Sequence, residues 1–251
     1  MNESQVATLS RAVRSWLAFQ CYCGRGALLS EAYLTQPVGE FLNWSNSGDV
    51  RAEWNHPNIP HPERGRPRQI DYVVRTRDSG QLAGAIEVKW VSDQGGVDRQ
   101  RIVDDLLRLE CVRNEPGPMV WRYFLLAGRD RDIVANFMQL QVNTGVGSRE
   151  EFHSYFLDTA RSDSDKHVSV FDCPRHMRRF FKSFGDSYKV SLPRSYKTKC
   201  VASEEGDGFR VLAWRVSSSR RRAVFSPIEE WPDETVPDVD DEDTGRGASN
   251  A

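Results

Sequence analysis

Two kinds of spacing order the apolar residues of this chain. Val6, Leu9, Val13, Trp16 and Leu17 recur every three or four positions, which predicts an amphipathic helix over 4–20. A turn at 21–26 follows, and 27–42 reads as a second helix, or as two helical turns bent at Pro37. The period then shortens to two. Apolar runs at 50–54, 70–74 and 83–91 predict three strands, the last two joined by Arg77-Asp78-Ser79-Gly80 as a hairpin. The helical period returns over 98–113, where Ile102, Leu106 and Leu109 form a stripe and Asp104 and Arg108 are placed as an outward i,i+4 pair. Glu115-Pro116-Gly117-Pro118 ends that helix, and a strand over 120–127 and a helix over 130–140 follow.

Beyond 150 the pattern predicts a strand at 167–171 and a short basic helix over 174–184. A strand over 208–216 is expected to pair with either 188–192 or 199–203. The order of elements implies an α/β fold, a mixed central sheet flanked by helices. Three segments are expected: a core with N-terminal helices over 1–150, an extension packed on it over 151–228 and suited to binding nucleic acid, and an acidic, disordered tail over 229–251.

Charge changes this picture in one respect. The net charge of −2 divides into a body, 1–228, with 33 basic and 27 acidic residues, and a tail with nine acidic residues and one basic, Arg246. A basic body suits a polyanionic partner. No apolar run approaches the roughly 18 residues of a membrane span. The start, Met1-Asn2-Glu3-Ser4-Gln5, has no leader-like pattern, so a cytoplasmic location with no membrane partner is expected. Of five cysteines only Cys21 and Cys23 lie close together, which fits reduced thiols better than disulfides or zinc. There is no Gly-rich phosphate loop, Gly-x-Ser-x-Gly or His-Glu-x-x-His.

The candidate chemistry lies on the hairpin. In 84–90, Ile86, Val88 and Trp90 alternate with Glu87 and Lys89, so the two charged residues share one strand face. Asp71 stands on the preceding strand. Two carboxylates and an ammonium on neighbouring strands can hold a hard divalent cation beside a water molecule.

The pattern Asp71-x15-Glu87-x-Lys89, with its order of elements over about 27–127, resembles the PD-(D/E)xK nucleases, the restriction-endonuclease-like phosphodiesterases. Ile70 stands where the name-giving proline would. The resemblance implies the restriction-endonuclease-like fold. It also implies Mg²⁺ (with Mn²⁺ as substitute) held by Asp71, Glu87 and the Val88 carbonyl, and Lys89 orienting the attacking water. A carboxylate from the helix before the first strand often assists. Glu31 is the first candidate, with Glu40 and then Glu53 as competitors.

Gln100 is a further candidate contact to water or phosphate, or a solvent-facing glutamine. The Gln-xxx-Tyr signature of the RecB-like branch is missing, because Asp104 holds the tyrosine position. Arg175, Arg178, Arg179 and Lys182 repeat at helical spacing, followed by Arg194, Lys197 and Lys199 and then Arg220, Arg221 and Arg222. Such clusters suit phosphate oxygens. His56 and His61 in a proline-rich loop are expected not to be ligands. The expectation is a metal-dependent endonuclease acting on nucleic acid, DNA in the first instance, in restriction, defence or repair. A homodimer or a partner protein is compatible with it. The alternative is a non-catalytic subunit that keeps the fold and binds nucleic acid or a partner protein.

Overall fold

The computed structural model describes residues 1–46, 48–62, 65–93, 97–114, 117–145, 148–218 and 224–231. The chain opens with α1 (Glu3–Tyr22), started by a capping box in which the Asn2 side chain accepts from the Gln5 backbone and the Gln5 side chain from the Asn2 backbone. A single 3₁₀ turn, Gly26–Leu28, leads to α2 (Glu31–Ser45). The second helix therefore starts later than 27 and runs through Pro37. The Ser30 hydroxyl, accepting from Tyr33, fixes that start.

Strands β1 (Asp49–Asn55), β2 (Gln69–Arg75) and β3 (Leu82–Val91) form an antiparallel meander, then α3 (Arg99–Cys111) returns the chain to β4 (Trp121–Arg129), parallel to β3. The helix expected over 130–140 is shorter. After α4 (Asp130–Ile133) the chain widens into a π turn, Val134–Met138, which buries Ile133 and Phe137 together. A small ladder of β5 (Gln141–Gly145) and β6 (Ser148–Glu151) and the short α5 (Phe152–Phe156) precede β7 (Lys166–Ser169) and α6 (Arg175–Tyr188). Then come β8 (Leu192–Pro193), β9 (Ser195–Gly206), β10 (Phe209–Ser218), β11 (Val224–Phe225) and α7 (Pro227–Glu230).

The fold is α/β, built on one mixed seven-stranded sheet in the order β1-β2-β3-β4-β10-β9-β7. Strand β10 pairs with β9, where Lys199–Ser203 lies, and not with 188–192, which holds the end of α6 and β8. The residues after 150 thus add β7, β9 and β10 to the central sheet itself. Helices α1 and α2 cover one face over Tyr72, Val74, Ile86, Val88, Leu125 and Val211, among others. On the other face α3 and α6 pack through Ile102, Leu106, Met177, Phe181 and Phe184 against Phe124 and Trp214. At Gly84 a Cβ would stand 2.0 Å from the Trp121 indole, so a residue without a side chain is needed where that ring crosses β3.

The sheet is complete at its centre and parted at one place. The β2–β3 ladder runs from Arg75↔Leu82 to Tyr72↔Ile86 and goes no further, while β2 stays paired with β1 as far as Gln69↔Asn55. Glu53, opposite Asp71, drops out of the β1–β2 pairing with φ 48°, although the register is the same on either side of it, and the irregularity interrupts the edge strand. A gap therefore opens between β2 and the second half of β3.

Candidate functional site

Asp71 faces this gap. Its Oδ2 accepts from the Val88 backbone N–H at 2.7 Å, in place of the ladder bond a continued β2 would have made. The N–H and C=O of one strand residue point to the same edge, so the Val88 carbonyl is also directed at the gap. Glu87 leaves β3 on the α3 side, 1% exposed, and its carboxyl stands against that of Asp71. Burial raises both carboxyls above their usual range, more strongly for Glu87, with the Val88 N–H opposing the rise at Asp71 and Arg108 opposing it at Glu87.

Lys89, two residues on, bridges two more carboxylates. Its Nζ lies 3.1 Å from Glu31 at the start of α2 and 3.2 Å from the buried Asp105 of α3. Burial alone would lower the Lys89 pKa; Asp105 and Glu31 outweigh it and raise it, so the ammonium is held charged. The helix carboxylate that meets the site is therefore Glu31. Glu40 is turned to solvent and bonded to Gln36 at 3.0 Å.

Two members of the cluster were placed differently by the sequence pattern. Arg108 was expected on the outside, paired with Asp104. Its Nε instead donates to Glu87 at 2.9 Å and a terminal nitrogen to Asp105 at 2.6 Å, and its side chain is 18% exposed. The desolvation cost of a buried Glu87 explains the turn, since an unpaired carboxylate there is far more expensive than an unpaired residue at the surface. Asp105 had no expected role, yet a signal existed. With Ile102, Leu106 and Leu109 it shares the buried stripe of α3, where a lone charge is out of place. Burial lifts its carboxyl to about 6, against the pull of Arg108 and Lys89.

Four carboxyl groups, Asp71, Glu87, Asp105 and Glu31, thus face two cations, Lys89 and Arg108, so acids outnumber cations by two. Among the described residues no three Asp, Glu, His or Cys side chains form a ready-made metal cage. Mg²⁺ does not need one, because it is held through one or two carboxylates and keeps several waters. The Asp71–Glu87 pair fits that donor set, and a dication between the two carboxyls would offset the burial that disfavours their ionisation.

The remaining candidates are distributed. Gln100 is not solvent-facing: its amide donates to Asp104 at 2.7 Å and to the Phe180 carbonyl at 2.9 Å, tying α3 to α6. Arg178 lies over Trp231 at 5.1 Å and Arg179 over Phe180 at 4.9 Å, so both lean on aromatic rings of their own domain. Arg175 is exposed and Lys182 half-buried on the same helix. Lys197 and Lys199 are paired with Asp165 and Glu3. His56 is buried beneath the site, with Nε2 donating to the Arg108 carbonyl at 2.9 Å and Nδ1 accepting from the Asn58 and Ile59 backbones. Arg220, Arg221, Arg222 and the acidic tail lie outside the described residues.

All five cysteines are free. Among the described residues no helix is long and apolar enough to cross a membrane. No protein-family model, curated protein or solved structure matches this chain.

Proposed function

We propose that this chain is a metal-dependent phosphodiesterase of the PD-(D/E)xK type, with the restriction-endonuclease-like fold, that cleaves nucleic acid and DNA in the first instance. The observation that carries the reading is the meeting of Asp71 and Glu87 in a gap of the sheet with Lys89 two residues away. Asp71, Glu87 and the Val88 carbonyl would hold the ion. Mg²⁺ bound there supplies charge neutralisation at the phosphoryl oxygens and a more acidic water. Lys89, an ammonium with three donors and no acceptor, orients the attacking water and stabilises charge developing on the phosphoryl group. Asp105 and Glu31 fix the Lys89 side chain from the two sides of the sheet. Arg175 and Lys182 on α6 offer charge to the backbone of the polymer.

One observation favours a second reading, a non-catalytic subunit of the same fold. Arg108 already occupies oxygens of Glu87 and Asp105, a cation where a metal-binding site would want free carboxylate. Incubation of wild type and Lys89→Ala with plasmid and single-stranded DNA, in Mg²⁺, Mn²⁺ or EDTA, separates the two. The nuclease reading expects metal-dependent cleavage that falls about 10²–10³-fold in the variant, the cost of removing one preorganised donor. Binding without cleavage in every metal would leave the scaffold reading.

A further inference from the structure

A cluster dominated by carboxylates repels the phosphodiester it is meant to cut, so the approach to it needs positive charge. Arg108 and Lys89 are tied to acids inside the gap. One arginine at its mouth is differently placed. Arg68 directly precedes β2, three residues before Asp71, and its carbonyl accepts from the His56 N–H at 2.7 Å, which pins its backbone to the end of β1. Its side chain is exposed, and the guanidinium lies 4.7 Å from the centre of the Tyr188 ring. The Tyr188 hydroxyl in turn lies against Arg108, the partner of Glu87. Arg68 is therefore one aromatic ring away from the charged cluster.

The Asp104 carboxyl is near enough to feel the Arg68 charge, but among the described residues no hydrogen bond or ion pair takes the Arg68 N–H groups. This contrasts with Arg194, Lys197, Lys199 and Arg215, each within 4.0 Å of an acid. The Tyr188 ring holds the guanidinium from one side and leaves its N–H groups available. That geometry suits two parallel hydrogen bonds to the oxygens of a phosphate.

We infer that Arg68, oriented by Tyr188, is a phosphate-binding residue that grips the nucleic-acid backbone beside the gap between β2 and β3. The inference rests on the nucleic-acid reading of the site and deepens it. The ligand is a phosphodiester, bound by charge and planarity without reading bases, so duplex and single strand are both bound.

The test is fluorescence anisotropy with a labelled 20-base-pair duplex and its single strand, over a range of salt. EDTA is present so that cleavage does not consume the probe. Arg68→Ala is expected to weaken binding about tenfold at low salt and to reduce the slope of log K against log salt by about one, because one phosphate contact is lost. Arg68→Lys restores the slope but not the full affinity, since it keeps the charge and loses the planar fork. Arg51→Ala, an exposed arginine of β1 paired with Asp49, leaves both unchanged.

Equal affinity and slope in wild type and Arg68→Ala would overturn the inference, and so would an equal loss in Arg51→Ala, which would mean diffuse surface charge. Plasmid cleavage in Mg²⁺ is scored on the same variants and keeps the two readings apart. Weakened binding by Arg68→Ala with no cleavage by wild type supports the grip and sinks the nuclease. Cleavage by wild type with unchanged Arg68→Ala binding does the reverse.

Discussion

Two ionic networks in this molecule use the same residue types and differ in their surroundings. The outer one crosses β9 and β10, where Glu3 meets Lys199 at 3.0 Å and Arg215 at 2.8 Å, and Asp165 meets Arg215 at 2.7 Å and Lys197 at 3.4 Å. It lies on a fully paired part of the sheet, in contact with water, with three cations for two acids. Burial opposes ionisation of Asp165, but Arg215 and Lys197 together outweigh it and hold its pKa below the usual range. The network in the gap has four acids for two cations, and burial raises the pKa values of Asp71, Glu87 and Asp105. An outer network with surplus positive charge is content with water. Buried acids that outnumber their cations and have raised pKa values mark the inner network as the candidate functional site.

The largest effect expected from this contrast is on Arg108. Arg108→Ala strands Glu87 and Asp105 without their shared partner and should cost about 3–5 kcal/mol of stability, read by urea unfolding at neutral pH. A cost below about 1 kcal/mol would put the gap in the same class as the surface. Next comes His56, which holds the backbone of Arg108 from below. Burial pushes its imidazole down to about 4, with the Arg108 carbonyl bond opposing. The folded pKa lies below the unfolded one, near 6.5, so folding favours the neutral ring. Its contribution is complete above about pH 6.5 and is lost as pH falls towards 4, up to about 3 kcal/mol. Urea unfolding between pH 7 and 4.5 should show this slope in wild type and a flatter one in His56→Gln. The smallest effect belongs to Arg215→Ala, under about 1 kcal/mol and weaker still in salt. A loss matching that of Arg108→Ala would erase the distinction between the networks.

Periodicity alone located most of what frames the gap. The alternation on β3, the stripe on α3 and the hairpin turn were legible because each rests on local spacing and on which face is apolar. The boundaries that moved, at Ser30 and after Ile133, depend on a cap and on core packing at Phe137. Asp71, Glu87 and Lys89 could be named from their strands, and Glu31 as the first candidate ahead of Glu40 and Glu53, with no local signal to separate them. Arg108 was misplaced because an i,i+4 partner in the sequence looks sufficient until a buried carboxylate across the sheet competes for it. The break in the β2–β3 ladder has no local signal, since it comes from a side chain taking the place of a backbone acceptor. The union of residues after 150 with the central sheet was equally hidden, because β4 meets β10 only through a long-range pairing.

As a metal centre the gap between β2 and β3 would take up a divalent cation; as a buried ion-pair cluster it would take up none. Titration of the protein with Mn²⁺, followed by electron paramagnetic resonance, separates the two most directly. Wild type and Asp165→Asn should each take up about one ion per chain, in a Mg²⁺-competable manner, and Asp71→Asn none, in keeping with a site of one or two carboxylates. No bound ion in wild type, or undiminished binding by folded Asp71→Asn, would contradict a metal centre there.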